Sequence, residues 1–236
     1  MKEVFEKIAV KVDEYGADGD MKKTQFVLDL IGSVTDPNTY KCILVAGEQG
    51  MEMNCYSLEN LSSDQIAKMG NNTLYLRESD FIISGVDGIL AFINARGLGY
   101  SLDPKNAQLA SMQNYWVDIS NNDLSPSINK LIEGDKSVLK DIELYLDTLN
   151  DQLKNNKYVI CDKYSFADVY WVSYMHCLLM CGYENLINDR KNVKDWIETI
   201  KSRKSQCGQD IVAYDNLPSK EDIANKKLSS ISITDF

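Results

Sequence analysis

Apolar residues recur at helical or alternating spacing along most of the chain, and the sharpest pattern runs from Lys157 to Cys181, KYVICDKYSFADVYWVSYMHCLLMC. Beyond Asp168, only Ser173 and His176 are markedly polar before Cys181, so nearly every face is apolar. In a globular protein such a helix is a buried central strut. Ser165 and Asp168 stand three apart at its start, the spacing of an N-capping box. The Ser165 hydroxyl is placed to accept from the Asp168 N–H, and the Asp168 carboxylate reaches back to the N–H of Ser165. A carboxylate in the first turn also suits the positive end of the helix dipole.

Val4, Ile8, Val12 and Tyr15 share one helical face, which predicts an amphipathic helix over 1–20 closed by Gly16 and Gly19. Gln25 to Ile31 has strand length. VTDPNTY then turns at Pro37, and a helix is expected from Lys41 to Gly47, ending near Gly50. Met51, Met53 and Cys55 alternate with Glu52, Asn54 and Tyr56, the period of a strand. Leu61, Ile66 and Met69 mark a helical stretch within 58–69. Thr73–Arg77 and Asp80–Ser84 read as a hairpin turned at Glu78–Ser79. A helix over Val86–Ala95 follows, with Val86, Ile89, Leu90 and Ile93 inward.

Glycine-rich 96–103 is the natural linker. Asp103-Pro104 has the form of an N-cap followed by proline at the first helical position. The helix it would open carries Leu109, Met112, Trp116 and Ile119. Leu139, Ile142, Leu146, Leu149 and Leu153 give a helix over 135–153, and Val193, Trp196, Ile197 and Ile200 another beyond the strut. From about Gln206 bulky groups are few, and the last stretch is expected to be partly mobile.

The formal net charge is −10, which lacks the basic footprint that phosphate contacts need and argues against direct nucleic-acid binding. No run approaches the roughly 18–20 apolar residues of a membrane span. The N-terminus shows no secretory signal pattern. Six cysteines form no Cys-x-x-Cys pair, which fits a reducing, cytoplasmic setting, and a single histidine makes a Cys/His metal site unexpected.

Ile160, Cys161 and Asp162 followed by Ser165-Phe166-Ala167-Asp168 resemble the core-helix motif of the glutathione S-transferase-like fold. Cys161 replaces the usual glycine. The resemblance covers roughly residues 25 to 203. It implies an α/β plus all-α architecture: a thioredoxin-like half (β-α-β-α-β-β-α, residues 24–95), a linker (96–102) and an all-helical half (103–205). The helix within residues 1–23 is then an addition that docks on its own domain or on a partner, and 206–236 is a tail.

In that family a cis-proline before the third strand, a Glu/Gln-Ser pair opening the third helix, and a Tyr, Ser or Cys after the first strand hold and activate glutathione. None of the four prolines lies between Pro37 and Pro104, and Thr73 falls where the cis-proline belongs. Gly85-Val86 stands where Glu-Ser is expected. Thr35 and Tyr40, with Asp36 between them, lie near the place of the thiolate-stabilising hydroxyl, although hydroxyl-bearing turn residues are ordinary. The positions of a degenerate glutathione pocket are therefore Thr35, Asp36, Tyr40, Thr73, Gly85 and Val86. No catalytic residue is assigned. His176, Cys42, Cys177 and Cys181 read as core.

The expectation is a non-catalytic scaffold or interaction subunit without a cofactor, working as a homo-oligomer or with protein partners. The resemblance is nearest to the non-catalytic domains of elongation factor one B and of aminoacyl-tRNA synthetase complexes. The alternative is a divergent glutathione transferase or glutathione-dependent isomerase that uses glutathione. Deleting residues 1–20 is expected to weaken partner binding more than it lowers the thermal midpoint. Unchanged partner affinity, measured by titration of the truncated chain, would remove that role.

Overall fold

A computed structural model describes residues 28–33, 36–51, 53–57, 72–78 and 81–203. The helices expected at 1–20 and 58–69, and the tail from 206, lie outside the described residues. The N-terminal half holds a mixed four-stranded sheet of order β2-β1-β3-β4. It is built from β1 (Leu28–Gly32), β2 (Met53–Ser57), β3 (Leu74–Glu78) and β4 (Phe81–Ser84). β1 and β2 run parallel, with Leu30 opposite Cys55, and helix α1 (Pro37–Glu48) joins them. β3 pairs antiparallel with β1 and with β4, Leu76 facing Leu30 on one side and Ile83 on the other. Helix α2 (Val86–Arg96) follows β4 and buries Ile89, Leu90 and Ile93. This sheet is the one the thioredoxin-like expectation called for.

Helix α1 begins four residues earlier than the sequence pattern indicated. Asp36 is its N-cap, accepting from the Asn38 N–H at 2.9 Å, and Pro37 occupies the first turn, where its missing N–H costs nothing. The same Asp-Pro pairing at 103–104 opens no helix. Helix α3 (Ala107–Ile119) is capped instead by Asn106, which accepts from the N–H groups of Gln108 and Leu109.

The Asp103 carboxylate has a different occupation. It accepts from Gln113 Nε2 at 2.9 Å and Asn94 Nδ2 at 3.2 Å, while Gln113 Oε1 accepts from the Phe166 N–H. Gln49 Nε2, at the end of α1, donates to Asn94 Oδ1 and to the Tyr100 carbonyl. A continuous polar chain thus runs from α1 through the connecting segment to the start of the central helix. It also explains why Gln113 is buried on α3 while Met112, expected inward, is exposed.

Helix α3 runs through a π-helical turn (Ser120–Leu124) into α4 (Ser125–Ile132), a helix absent from the sequence reading although Pro126 sits in its first turn. A 3-10 turn (Lys136–Val138), capped by Asp135, leads into α5 (Leu139–Gln152), which buries Ile142, Leu146 and Leu149. The expected strut is helix α6 (Phe166–Met180), buried at every position from Phe166 to Leu178. Helices α7 (Glu184–Asn188) and α8 (Lys191–Lys201) close the C-terminal half.

The α6 N-terminus is organised by one carboxylate. Asp168 is fully buried and completes the capping box with Ser165. Its Oδ2 accepts from the Ser165 N–H and hydroxyl, each at 3.0 Å. Its Oδ1 accepts from the Val159 N–H and from Trp196 Nε1–H, each at 2.9 Å. The Ser165 hydroxyl thus donates to the carboxylate in addition to its place in the capping box. Burial pushes the Asp168 pKa up to about 6, and the four donors each pull against it.

A raised carboxylate pKa means that the folded state holds its proton to higher pH than the unfolded chain does. The Asp168 contribution to stability therefore declines as pH rises from about 4 to about 6 and is flat above that. Asp168→Asn is expected to abolish this component of the pH dependence in urea unfolding. Asp168→Ala leaves four donors without their acceptor and should lower the unfolding free energy by about 3 kcal/mol or more. A loss below about 1 kcal/mol would contradict this account.

Candidate functional site

The loop before β3, the N-terminus of α1 and the N-terminus of α2 meet at the carboxyl end of β1. They enclose a cleft of about 200 Å³ lined by Asp36, Asn38, Asn72, Thr73, Leu74, Gly85 and Val86. The structure therefore brings Asp36, Thr73, Gly85 and Val86 together in one cleft. Thr35 lies outside the described residues.

Tyr40 does not reach the cleft. It is fully buried, its hydroxyl donates to Met180 Sδ at 3.3 Å, and its ring meets His176 edge-on at 4.9 Å. One turn into α1, it points at the partner helix α6 and serves the core. Cys42 is likewise buried, and desolvation pushes its thiol well above the ordinary value. Cys177 is pushed up to about 12 for the same reason, which removes it as a nucleophile at neutral pH.

Each cleft residue offers distinct chemistry. Asp36 caps α1, and desolvation raises its pKa while the Asn38 N–H and Lys41 oppose the shift. Asn72 and Thr73 are exposed on the approach to β3, with Asn72 Nδ2 donating to Ser84 Oγ at 2.9 Å. Gly85 is the N-cap of α2 at φ 89°, and its N–H reaches the Leu74 carbonyl at 3.4 Å. It contributes no side-chain acceptor. The first acidic residue of α2, Asp87, turns toward the helical half and accepts from Tyr170 OH at 2.7 Å. Asp36 is the one formally charged side chain among the lining residues.

A residue that sequence reasoning passed over lies directly behind this wall. Lys41 is fully buried, and its Nζ donates to Asn38 Oδ1 at 2.9 Å and Tyr174 OH at 3.1 Å. The signal was available. Lys41 interrupts the apolar run Tyr40–Ala46 at a position whose helical neighbours are core residues. Among the described residues there is no group of three or more side chains placed to hold a metal ion. No helix among them is long and apolar enough to cross a membrane.

Comparison with known proteins bears on the fold that holds this cleft. Residues 122–204 match the family model described as Glutathione S-transferase, C-terminal domain. Glutathione S-transferase F13 of Arabidopsis thaliana is 28% identical over 116 residues, which are 43% of this chain and 52% of that protein. The chain thus spans about half the length of that curated relative.

Among solved structures, glutathione S-transferase III in its apo form matches with a TM-score of 0.63 at 19% identity, over 89% of this chain and 99% of that one. Glutathione transferase F7 from Populus trichocarpa matches at 0.62 and 22% identity, over 75% and 95%. The Bombyx mori protein called glutathione S-transferase unclassified 2 matches at 0.65 and 19%, over 77% and 91%. Residues 122–204 thus match the glutathione S-transferase C-terminal domain, and the chain has the glutathione-transferase-like fold, a thioredoxin-like sheet half and a helical half.

The backbone at Gly85 has a direct test. A Cβ added there meets nothing within 4 Å, so any penalty comes from φ 89° alone. Gly85→Ala is expected to lower the unfolding free energy by roughly 1–2 kcal/mol, and Gly85→Asn by less, because asparagine tolerates positive φ better. Equal midpoints for wild type and Gly85→Ala in urea would show that the α2 N-cap relaxes freely.

Proposed function

We propose that this chain is a glutathione-transferase-fold protein that works by binding rather than by thiol transfer. The observation that carries the reading is the lining of the cleft. Glutathione brings two carboxylates, and among the described residues the lining offers one carboxylate of its own, at Asp36, and no lysine, arginine or histidine, since Lys41 lies buried behind the wall with its ammonium turned to Asn38 and Tyr174. Like charges in a half-buried cleft repel, and amide or hydroxyl groups alone compensate weakly. Where the family places a Glu/Gln-Ser pair, Gly85 and Val86 supply neither a carboxyl nor a hydroxyl.

On this reading the protein carries no resident cofactor and assembles in the cytoplasm with protein partners or with a second copy of itself. An assembly of the translational kind is the finer expectation, drawn from the sequence resemblance alone.

A second reading, a divergent glutathione transferase, is favoured by the survival of the cleft at the α1–β3–α2 corner and by the likeness to glutathione S-transferase F13. The two readings separate by titration of glutathione into the full chain, followed calorimetrically, with a chlorodinitrobenzene turnover assay alongside. The binding reading expects no turnover above the uncatalysed rate and a glutathione Kd weaker than about 1 mM, worth less than about 4 kcal/mol. Micromolar binding with turnover would establish the transferase.

A further inference from the structure

Lys41 is a buried group whose contacts cross from the cleft to the seam between the two halves. Its ammonium lies over the ring of Tyr170 at 4.1 Å and of Tyr174 at 4.6 Å, both on α6. It donates to Asn38 Oδ1 at 2.9 Å and to Tyr174 OH at 3.1 Å, and it approaches Asn121 Oδ1, on the π-helical turn, at 3.5 Å. Asn38 in turn lines the cleft, and its N–H binds the Asp36 carboxylate. One amine therefore touches α1, α6 and the π-helical turn at once.

We propose that Lys41 is a proton-linked coupling between the cleft and the seam of the two halves: the seam fits more tightly once the amine gives its proton to solvent, and Asn38 passes that change to the cleft. A buried ammonium loses its hydration, and phenol faces and neutral oxygens replace it only in part. The neutral amine needs no such compensation. It keeps two N–H donors for Asn38 Oδ1 and Asn121 Oδ1, and its lone pair can accept from Tyr174 O–H.

The groups that face it from each packed element are Asp36 and Cys42 on the α1 side, Asp87 on α2, and Tyr170, Tyr174 and Cys177 on α6. Desolvation lowers the Lys41 pKa from 10.5 to about 8, against the pull of Asp36 and Asp87. The unfolded chain thus binds more protons than the folded one between about pH 8 and 10.5, and stability rises with pH across that window.

The test uses the full chain with lysine labelled at 13Cε and titrated from pH 6.5 to 11. The resonance that disappears in Lys41→Arg is expected to titrate near 8, and the Asn38 side-chain amide signals are expected to shift with the same midpoint. In parallel, the urea unfolding constant of wild type should fall about tenfold per pH unit between 8 and 10.5 relative to Lys41→Met.

A Lys41 resonance titrating at 10.5 or above overturns the proposal, as do identical pH slopes for wild type and Lys41→Met. An Asn38 amide that stays still while Lys41 titrates overturns the link to the cleft. If Lys41→Met does not fold, the two wild-type resonances decide the matter by themselves.

Discussion

The buried Asp168 carboxylate is the interaction on which the helical half depends. Four donors converge on its two oxygens from three places: the start of α6, the bend before it at Val159, and the indole of Trp196 on α8. An ionised carboxylate in the interior is costly, and the four hydrogen bonds offset part of that cost. Its saturation fixes where α6 starts, and α6 is the surface against which α1, α3 and α4 pack. Tyr40 and Lys41 of α1 meet Met180, Tyr170 and Tyr174 on that helix. Trp171 donates its indole N–H to the Trp116 carbonyl and so seats α3.

The two halves are joined by polar contacts as much as by apolar ones. Gln49, Asn94, Asp103 and Gln113 form a chain that ends on the Phe166 N–H, one residue from the capping box. At the far end Arg203 pairs with the fully buried Glu48 at 2.5 Å and lies over the Tyr164 ring at 4.2 Å. The cleft at the α1–β3–α2 corner stands apart from these contacts. Any activity or partnership of this corner must work with an Asp36 carboxylate, amides and a bare Gly85 backbone.

Much of this was legible in the chain. The strut and its capping box follow from Ser165, Asp168 and thirteen further residues without a charge, and period-two alternation placed β2. Asp36, Thr73, Gly85 and Val86, singled out by the resemblance, line one cleft. Other features were hidden for physical reasons. Asp36-Pro37 and Asp103-Pro104 look alike locally, yet only the first opens a helix, because Asp103 is engaged by the distant Gln113 and Asn94. Tyr40 was indistinguishable from a site hydroxyl until its helical phase turned it toward Met180. Lys41 escaped because its partners, Tyr170 and Tyr174, lie more than a hundred residues away.

The central claim is that the scaffold persists while the means of gripping a γ-linked tripeptide has gone. A crystal of the full chain soaked in glutathione tests it most directly. The account predicts no ordered tripeptide against the start of β3 and the Gly85 backbone. Continuous density for glutathione beside Thr73 and Gly85, with its carboxylates held by protein donors, would contradict it.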